Sequence, residues 1–526
     1  MDKETKFEIN LILYLASLIF GAGILTLPYA SVYVGFPTFV IVLILITAMY
    51  TTFYKFTVNE FYKNTSKLVK NTVNEIDPAL RNVFKKEDTY FQLQSFIIRR
   101  RIKKAKGGLL YQLLKEAGQS KVLMITTLSM LFFSLSLALA YTIVGGISLI
   151  ILAQFLKTYL QNIQALVVLL IAVGILTLIF NSLLILIGIG KWGVFERVAA
   201  KPIYTALVMI LSMVGLWFIF IAILVFVPQL SFLGYIFFVF AVLGAKISEA
   251  VLTSKAERVG RKEMFSLYPS HDASAKLAIF EVIILLAGVF IAFLTLLENN
   301  QALLENITYI PKLSPTEFIS KIALTITIIF FALSGVFYDV VSYPEIYISE
   351  RKFRPHMVTI FVSLVYLIFT FMIISSIPID LLIEADRASQ HAIIPLSQMV
   401  SGSIALIVII LSYGYALIAV SNAYRGYMDS FIDSISPSLG IRGELKKYAL
   451  WITIALSIVA FLLFLNASGI KIALSTLIGA IGAISTGLYV LGPPLMIGER
   501  NRKRVALYIF VVICSILLAV LTVVPL

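Results

Sequence analysis

Cysteine is almost absent from this chain: Cys514 stands alone among 526 residues, which excludes an internal disulfide framework. Histidine is nearly as scarce. His271, His356 and His391 lie in or beside loops and no His-Glu-x-x-His pattern occurs, so no metal cofactor is expected. Charge is thin as well. Asp, Glu, Lys and Arg make up 13% of the residues, about half the share of an ordinary globular domain. The hydrophobic spans contain no paired acids and no Ser–His arrangement, so an enzyme buried in the membrane is not expected either.

What the chain does have is apolar length. Hydrophobic residues reach 60% and the mean hydropathy is +0.98, values that fit only an all-α polytopic membrane protein. At roughly 20 apolar residues per span, thirteen segments stand out in the sequence: 9–30, 35–58, 122–153, 164–188, 202–227, 231–252, 275–297, 319–347, 356–377, 398–424, 447–466, 471–497 and 504–525. They predict one transmembrane domain over residues 1–526. The start, Met1-Asp2-Lys3-Glu4-Thr5-Lys6, is of mixed charge and no small-residue cleavage pattern follows it, so the first segment is expected to stay in the membrane.

The net charge of +14 is distributed by loop parity. Loop 61–121 holds fourteen Lys and Arg against five Asp and Glu, and the alternate loops after it are basic too. The intervening loops carry at most one cation each, such as Lys157, Lys312, Arg387 or Lys471. The positive-inside rule then puts the N-terminus and the basic loops in the cytoplasm, as expected of a multi-pass protein of the plasma membrane. The charge is a topology signal rather than a nucleic-acid footprint. Within the loop, residues from Tyr90 to Lys106 alternate basic and apolar side chains. They read equally as an amphipathic helix on anionic membrane lipid or as a solvated loop.

Two spans contain residues that a continuous membrane helix would avoid. In the first, Phe20-Gly21-Ala22-Gly23-Ile24-Leu25-Thr26-Leu27-Pro28 sets two glycines and a proline at mid-span. By itself this stretch reads as a packing pair of glycines or as a break lining a protected cavity. The second is Phe331-Ala332-Leu333-Ser334-Gly335-Val336-Phe337-Tyr338-Asp339, followed by Pro344-Glu345. Asp339 is the ionisable side chain nearest the middle of any span, where a charge is costly and points to function. A pair of interrupted helices is the sequence pointer to a transporter site, and the pairing favours the break over the packing reading at Gly21–Gly23.

Here the chain resembles the amino acid–polyamine–organocation superfamily, in particular its amino acid/auxin permease branch. Gly21 to Ala30 is similar to that branch's first-helix signature. The stretch from Phe331 to Pro355 resembles the sixth helix and the loop after it. Gly426 to Asp433 resembles the end of the eighth helix, and the glycine-rich run Ile472 to Ile497 the tenth. The resemblance touches about half the chain. It implies the leucine-transporter architecture of two inverted five-helix repeats and a peripheral eleventh helix. The second interrupted helix is the eighth span here, not the sixth, so the segments 231–297 are expected to be an inserted pair around an 11-helix core. The weaker pattern of Gly244, Lys246 and Glu249 leaves 231–252 open as the alternative broken helix, although Lys246 and Glu249 share a face and read also as a structural ion pair.

The resemblance implies an amino acid permease working by alternating access, with a zwitterion held between the two broken helices. Gly21, Ala22, Gly23 and Ile24 are then the carboxylate-side residues, and Ser334, Gly335 and Val336 the amine-side ones. Phe337, Tyr338 and Tyr141 are candidates for the side-chain pocket, with ordinary packing as the other reading. No cofactor is implied beyond a coupling ion, and H+ and Na+ both stay open. Ser17 and Phe20 carbonyls with Ser421 and Asn422 are the sodium candidates; Asp339 and Lys201 are the proton candidates. A transporter-like sensor, or a permease for polyamines, organic cations or nucleobases, is the alternative.

Overall fold

The computed structural model describes residues 9, 12–13, 16, 19–20, 23–74, 120–159, 162–189, 202–230, 232–259, 269–299, 303–342, 355–388, 390–400, 406–411, 413–424, 474–496 and 502–523. Among these residues the chain is helical and has no strand. Nine helices within them are long and apolar enough to cross a membrane, which makes this a multi-pass membrane protein. The expected span 447–466 and most of the basic loop, including Tyr90 to Lys106, lie outside the described residues.

The first span resumes as α1 (Leu27–Val34) after a 3₁₀ turn at Ile24–Thr26. It is followed by α2 (Phe36–Asn74), α3 (Ser120–Tyr159), α4 (Ile163–Ile189), α5 (Pro202–Phe226), α6 (Leu233–Val259) and α7 (Pro269–Glu298). Then come α8 (Pro315–Ser342), α9 (Pro355–Ile374), the short α10 (Ile379–Arg387) and α11 (Ile393–Met399), and α12 (Leu406–Tyr424). The chain closes with α13 (Leu474–Ser485), a π-helical stretch at Thr486–Leu491, α14 (Gly492–Leu495) and α15 (Arg502–Val523).

The apolar run 35–58 ends where expected, but the helix does not. α2 continues as helix to Asn74, so the first part of loop 61–121 is helical. Its 39 residues span about 58 Å, roughly twice a bilayer core. Neither glycine nor proline occurs between Pro37 and Pro78 to stop it. α1 turns into α2 at Gly35, whose φ of +82° lies in the region that favours glycine. A β-carbon there would also stand 2.7 Å from the Tyr309 carbonyl oxygen.

The bundle packs α2 along α9, α8 along α13 and α15, and α5 between α4 and α6. Small residues set the closest approaches. At Gly482 a β-carbon would lie 2.2 Å from the Thr327 carbonyl oxygen, so α13 presses its backbone onto α8. α4 is the loosest of the long helices, with 17% of its apolar window buried against 56% for α5. α7 instead turns a continuous stripe inward, Glu281, Leu285, Val289, Ala292 and Leu296, none more than 1% exposed. α6 and α7, the segments expected as an inserted pair, both contribute side chains to the buried core.

The connection 378–397, read from sequence as a long loop, folds into α10 and α11 and packs back on the first span. The Ala392 amide donates to the Leu25 carbonyl at 3.1 Å, and the Tyr29 hydroxyl to the Gln390 carbonyl at 2.9 Å. The Asn306 side-chain amide, within an apparent glycosylation sequon, is committed to this end of the fold. It donates to the carbonyls of Ile374 at 3.0 Å and Ile377 at 3.1 Å.

Candidate functional site

Around the predicted break the described backbone bends at Phe20, turns at Gly23 and is 3₁₀ at Ile24–Thr26. The Phe20 amide donates to the Ala16 carbonyl at 3.0 Å, an α-helical bond. Further on, the Thr26 amide and hydroxyl both donate to the Gly23 carbonyl, at 3.2 and 2.9 Å, so Thr26 stands at the N-cap position of α1 without a side-chain capping bond. Pro28 sits in the first turn of α1, where its missing N–H costs no hydrogen bond. A break inside the membrane leaves carbonyls that water would otherwise satisfy, each worth several kcal/mol. The protein supplies the donors instead. The Tyr366 hydroxyl of α9 lies 2.9 Å from the Ile19 carbonyl, and the Tyr415 hydroxyl of α12 lies 3.5 Å from that of Phe20. With Thr26 on Gly23 and Ala392 on Leu25, carbonyls on both sides of the break are met.

The two candidate helices meet at this point. A β-carbon on Gly23 would stand 2.8 Å from Ala332 Cα and 2.9 Å from Ala332 Cβ, so Gly23 is a packing glycine against α8. Ile24 is fully buried beside it. Tyr366 spans the same joint, its hydroxyl lying 2.9 Å from the Ala332 carbonyl as well as from Ile19.

α8 itself is not interrupted. Its backbone is helical from Pro315 to Ser342, through the break expected at Ser334–Val336. The Ser334 hydroxyl bonds back to the Phe331 carbonyl at 2.9 Å, which keeps it within the helix. A Ser-Gly pair is tolerated in a membrane helix when neighbours supply extra donors, and tyrosines do so here. Tyr50 reaches the Phe330 carbonyl at 3.4 Å and Tyr54 the Leu333 carbonyl at 3.3 Å. The Tyr50 hydroxyl is also 3.1 Å from Thr486, at the start of the π-helical stretch. The alternative candidate is unbroken too. α6 runs through Gly244, and Lys246 pairs with Glu249 at 3.0 Å, the structural ion pair that their spacing allowed.

Of the other expected residues, Tyr141 is buried on α3 with its ring 6.5 Å from that of Tyr424. Ser421 and Asn422 are each 1% exposed on α12, six residues or more beyond Tyr415, about 9 Å of helix rise. Ser17, Gly21, Ala22 and Lys201 lie outside the described residues. Gly335, Val336, Phe337, Tyr338 and Asp339 are described as helical backbone only.

A second polar cluster was not foreseen. Asp386, at the end of α10, is fully buried. It accepts from the Tyr33 hydroxyl of α1 at 2.7 Å, from the Ser475 amide at the start of α13 at 2.9 Å, and from the Ser475 hydroxyl. Lys321 of α8 places its ammonium 4.1 Å from the centre of the Tyr33 ring. Burial pushes the Asp386 carboxyl above the usual range, and the hydrogen bonds from Ser475 and Tyr33 pull it back. Close by in sequence, His391 is buried with Nε2 3.0 Å from the Ser148 hydroxyl of α3 and its ring 5.6 Å from Tyr413. Burial alone pushes this imidazole down to about 3. A single acid in a polar loop carries no sequence signal of burial. The tyrosines sit among apolar residues, where nothing in the local sequence marks a hydroxyl that meets a distant partner.

Among the described residues no group of His, Cys, Asp and Glu could hold a metal ion. Comparison of the sequence with models of known families and with curated proteins gives no match.

Proposed function

We propose that this protein is a secondary active transporter that carries amino acids across the plasma membrane by alternating access, coupled to an ion gradient. The observation that carries the reading is the break at Phe20–Thr26. There the backbone bends at Phe20, turns at Gly23 and is 3₁₀ at Ile24–Thr26 before α1 begins, pressed against a second candidate helix at Ala332 and met by tyrosines from two others. Tyrosine and backbone donors occupy its carbonyl side. The amide side, at Gly21, Ala22, Gly23 and Ile24, is assigned to the substrate carboxylate, where half-helix dipoles add to the attraction. The substrate ammonium is assigned to α8 at Gly335 and Val336, which supply carbonyls once the helix opens there. The arrangement favoured is two inverted five-helix repeats with the N-terminus in the cytoplasm.

Uptake of radiolabelled amino acids into proteoliposomes under imposed H+ and Na+ gradients tests this. Gradient-dependent accumulation is expected. Amino acid binding without any uptake would support a sensor, and neither binding nor uptake would overturn an amino acid site altogether.

A further inference from the structure

Four consecutive carbonyls of α8 have a second donor in place. The helix is continuous from Pro315 to Ser342, so the carbonyls of Phe330, Phe331, Ala332 and Leu333 accept from the amides of Ser334, Gly335, Val336 and Phe337. Hydroxyls reach the same oxygens. Tyr50 of α2 lies 3.4 Å from that of Phe330, and Tyr54 lies 3.3 Å from that of Leu333. The Ser334 hydroxyl is 2.9 Å from that of Phe331, and Tyr366 of α9 is 2.9 Å from that of Ala332. A carbonyl oxygen has two lone pairs and accepts both donors while the helix is closed. When the amides leave, the hydroxyls remain. An unmet carbonyl inside a membrane is costly, so a helix opens there only where its carbonyls have another partner.

Packing fixes where the opening falls. Two glycine contacts clamp the part of α8 that comes before it. A β-carbon on Gly23 would stand 2.8 Å from Ala332 Cα, and one on Gly482 would stand 2.7 Å from Phe331 Cβ. The next turn starts with Ser334-Gly335, and glycine is the weakest helix former after proline. The clamped part and the weak turn are thus adjacent.

Three of the four carbonyls are covered at no other carbonyl's expense. Tyr50 gives its proton to Phe330 while the Thr486 hydroxyl, 3.1 Å away, donates to Tyr50 in turn. Ala332 is different, because Tyr366 stands between it and the Ile19 carbonyl of the first span, at 2.9 Å from each. A tyrosine hydroxyl has one proton to give. With α8 closed, Ala332 keeps its helical amide and the proton serves Ile19. With α8 open, Ala332 loses that amide and takes the proton, which releases Ile19 to accept from water or a bound molecule.

We propose that α8 is a hinge that opens by one turn at residues 334–337, and that Tyr366 couples it to the first span by passing its proton from Ile19 to Ala332. Tyr50 and Tyr54 hold the open form by taking over Phe330 and Leu333. Opening of α8 thereby loosens the first span at its own turn, and the two helices change together. The turn contains Gly335 and Val336, assigned to the substrate above, but the hinge is a property of the fold and needs no substrate.

The test is amide hydrogen exchange of the full-length protein in lipid nanodiscs, read by mass spectrometry with no amino acid added. Amides 334–337 should exchange at least about tenfold faster than those of residues 322–329 in the same helix. Tyr50→Phe and Tyr54→Phe should each slow amides 334–337 by about tenfold, because the open form loses its carbonyl partner while the closed form keeps the helical amide. A tyrosine that only braces the helix gives the opposite sign, since its loss speeds exchange. Gly335→Ala, which leaves every hydroxyl in place, should slow the same amides about threefold through helix propensity. Each of these three variants should also slow the amides of residues 20–26. In a Tyr366→Phe background Gly335→Ala should slow 334–337 alone, because Ile19 has lost its donor whether α8 is open or closed. Exchange at 334–337 no faster than at 322–329, or not slowed by loss of Tyr50 and Tyr54, would overturn the hinge. Continued coupling of 20–26 to 334–337 without the Tyr366 hydroxyl would overturn its role as the link. None of these outcomes depends on the uptake experiment, so a hinge without transport, or transport without a hinge, is recognised as such.

Discussion

Gly23 lies so close to Ala332 that a methyl group on it would be 2.8 Å from the Ala332 α-carbon. The first membrane helix therefore turns 3₁₀ directly after a close approach to α8. Packing and interruption, which the sequence set against each other as alternative readings of the glycines, occur together: the missing side chain permits the approach, and the turn at Ile24–Thr26 follows directly.

Gly23→Ala forces a new carbon against the backbone of α8, which has no flexible end to move aside. Overpacking of this kind costs about 1–3 kcal/mol. Gly414 on α12 is the matching control, because a β-carbon there meets nothing within 4 Å. Gly414→Ala should be neutral or stabilise by up to about 1 kcal/mol through helix propensity. Thermal unfolding in detergent measures both, and a Gly23→Ala protein as stable as the parent would contradict the close contact.

Hydrophobic length made most of the spans legible. The run 164–188 became α4 at Ile163–Ile189, and 504–525 became α15 at Arg502–Val523. The 3₁₀ turn at Ile24–Thr26 was legible too, because Gly and Pro act on their own backbone. The second break was misread at Ser334–Val336, since a Ser-Gly pair permits a break but does not require one, and Tyr50 and Tyr54, which meet α8, are 280 and 279 residues from the carbonyls they reach. Asp386 was invisible for the same reason. Its partners Tyr33 and Ser475 are 353 and 89 residues distant, and no local pattern records such pairings.

Tyr366→Phe removes one hydroxyl placed between the Ile19 and Ala332 carbonyls. Leaving a buried acceptor unmet costs about 1–3 kcal/mol. The Tyr415 bond to Phe20, at 3.5 Å, is at the limit of a hydrogen bond, so Tyr415→Phe should destabilise less. Unfolding midpoints of the two variants compared directly decide this, and the reverse order would mean that Tyr366 does not carry the joint.

Asp386 ties α10 to α1 and α13, and the contribution of its Tyr33 bond is separable. In a double-mutant cycle of Asp386→Asn and Tyr33→Phe, the coupling should be about 1.5–3 kcal/mol, the range for a hydrogen bond to a charged group. Additive losses would show that the two side chains stabilise the fold independently.

His391 gives the fold an acid limit. Its imidazole is held down to about 3, whereas in the unfolded chain it titrates near its ordinary value of about 6.5. The unfolded state therefore binds a proton that the folded state refuses. The stability tied to His391 is complete above about 6.5 and falls by up to ~1.4 kcal/mol per pH unit as pH drops towards 3. Asp386 works in the other direction, because its raised carboxyl contributes most below its unfolded value and less as pH rises through its folded one. His391→Gln keeps a donor for Ser148 and removes the titration. It should flatten the acid side of the stability curve, and an unchanged slope would assign the acid sensitivity to other groups.

Arg504 joins the two ends of the described chain. Its guanidinium donates to both carboxylate oxygens of Glu60, each at 3.0 Å, and so clamps the start of α15 to the long α2. The pair is part-exposed, 29% for the arginine and 14% for the glutamate, so its contribution is modest. Geometry makes it specific nonetheless: a lysine has no planar fork to match both oxygens. Arg504→Lys should therefore cost about 0.5–1 kcal/mol despite keeping the charge, and Arg504→Ala little more. The Arg504→Glu variant places two acids together and should lose more than either. Adding Glu60→Arg should recover most of that loss in the same unfolding measurement, because the fork is rebuilt in reverse. Failure of the double exchange to recover would locate the cost in the packing of the Arg504 side chain beside Phe56, 6.0 Å from the ring centre, rather than in the ion pair.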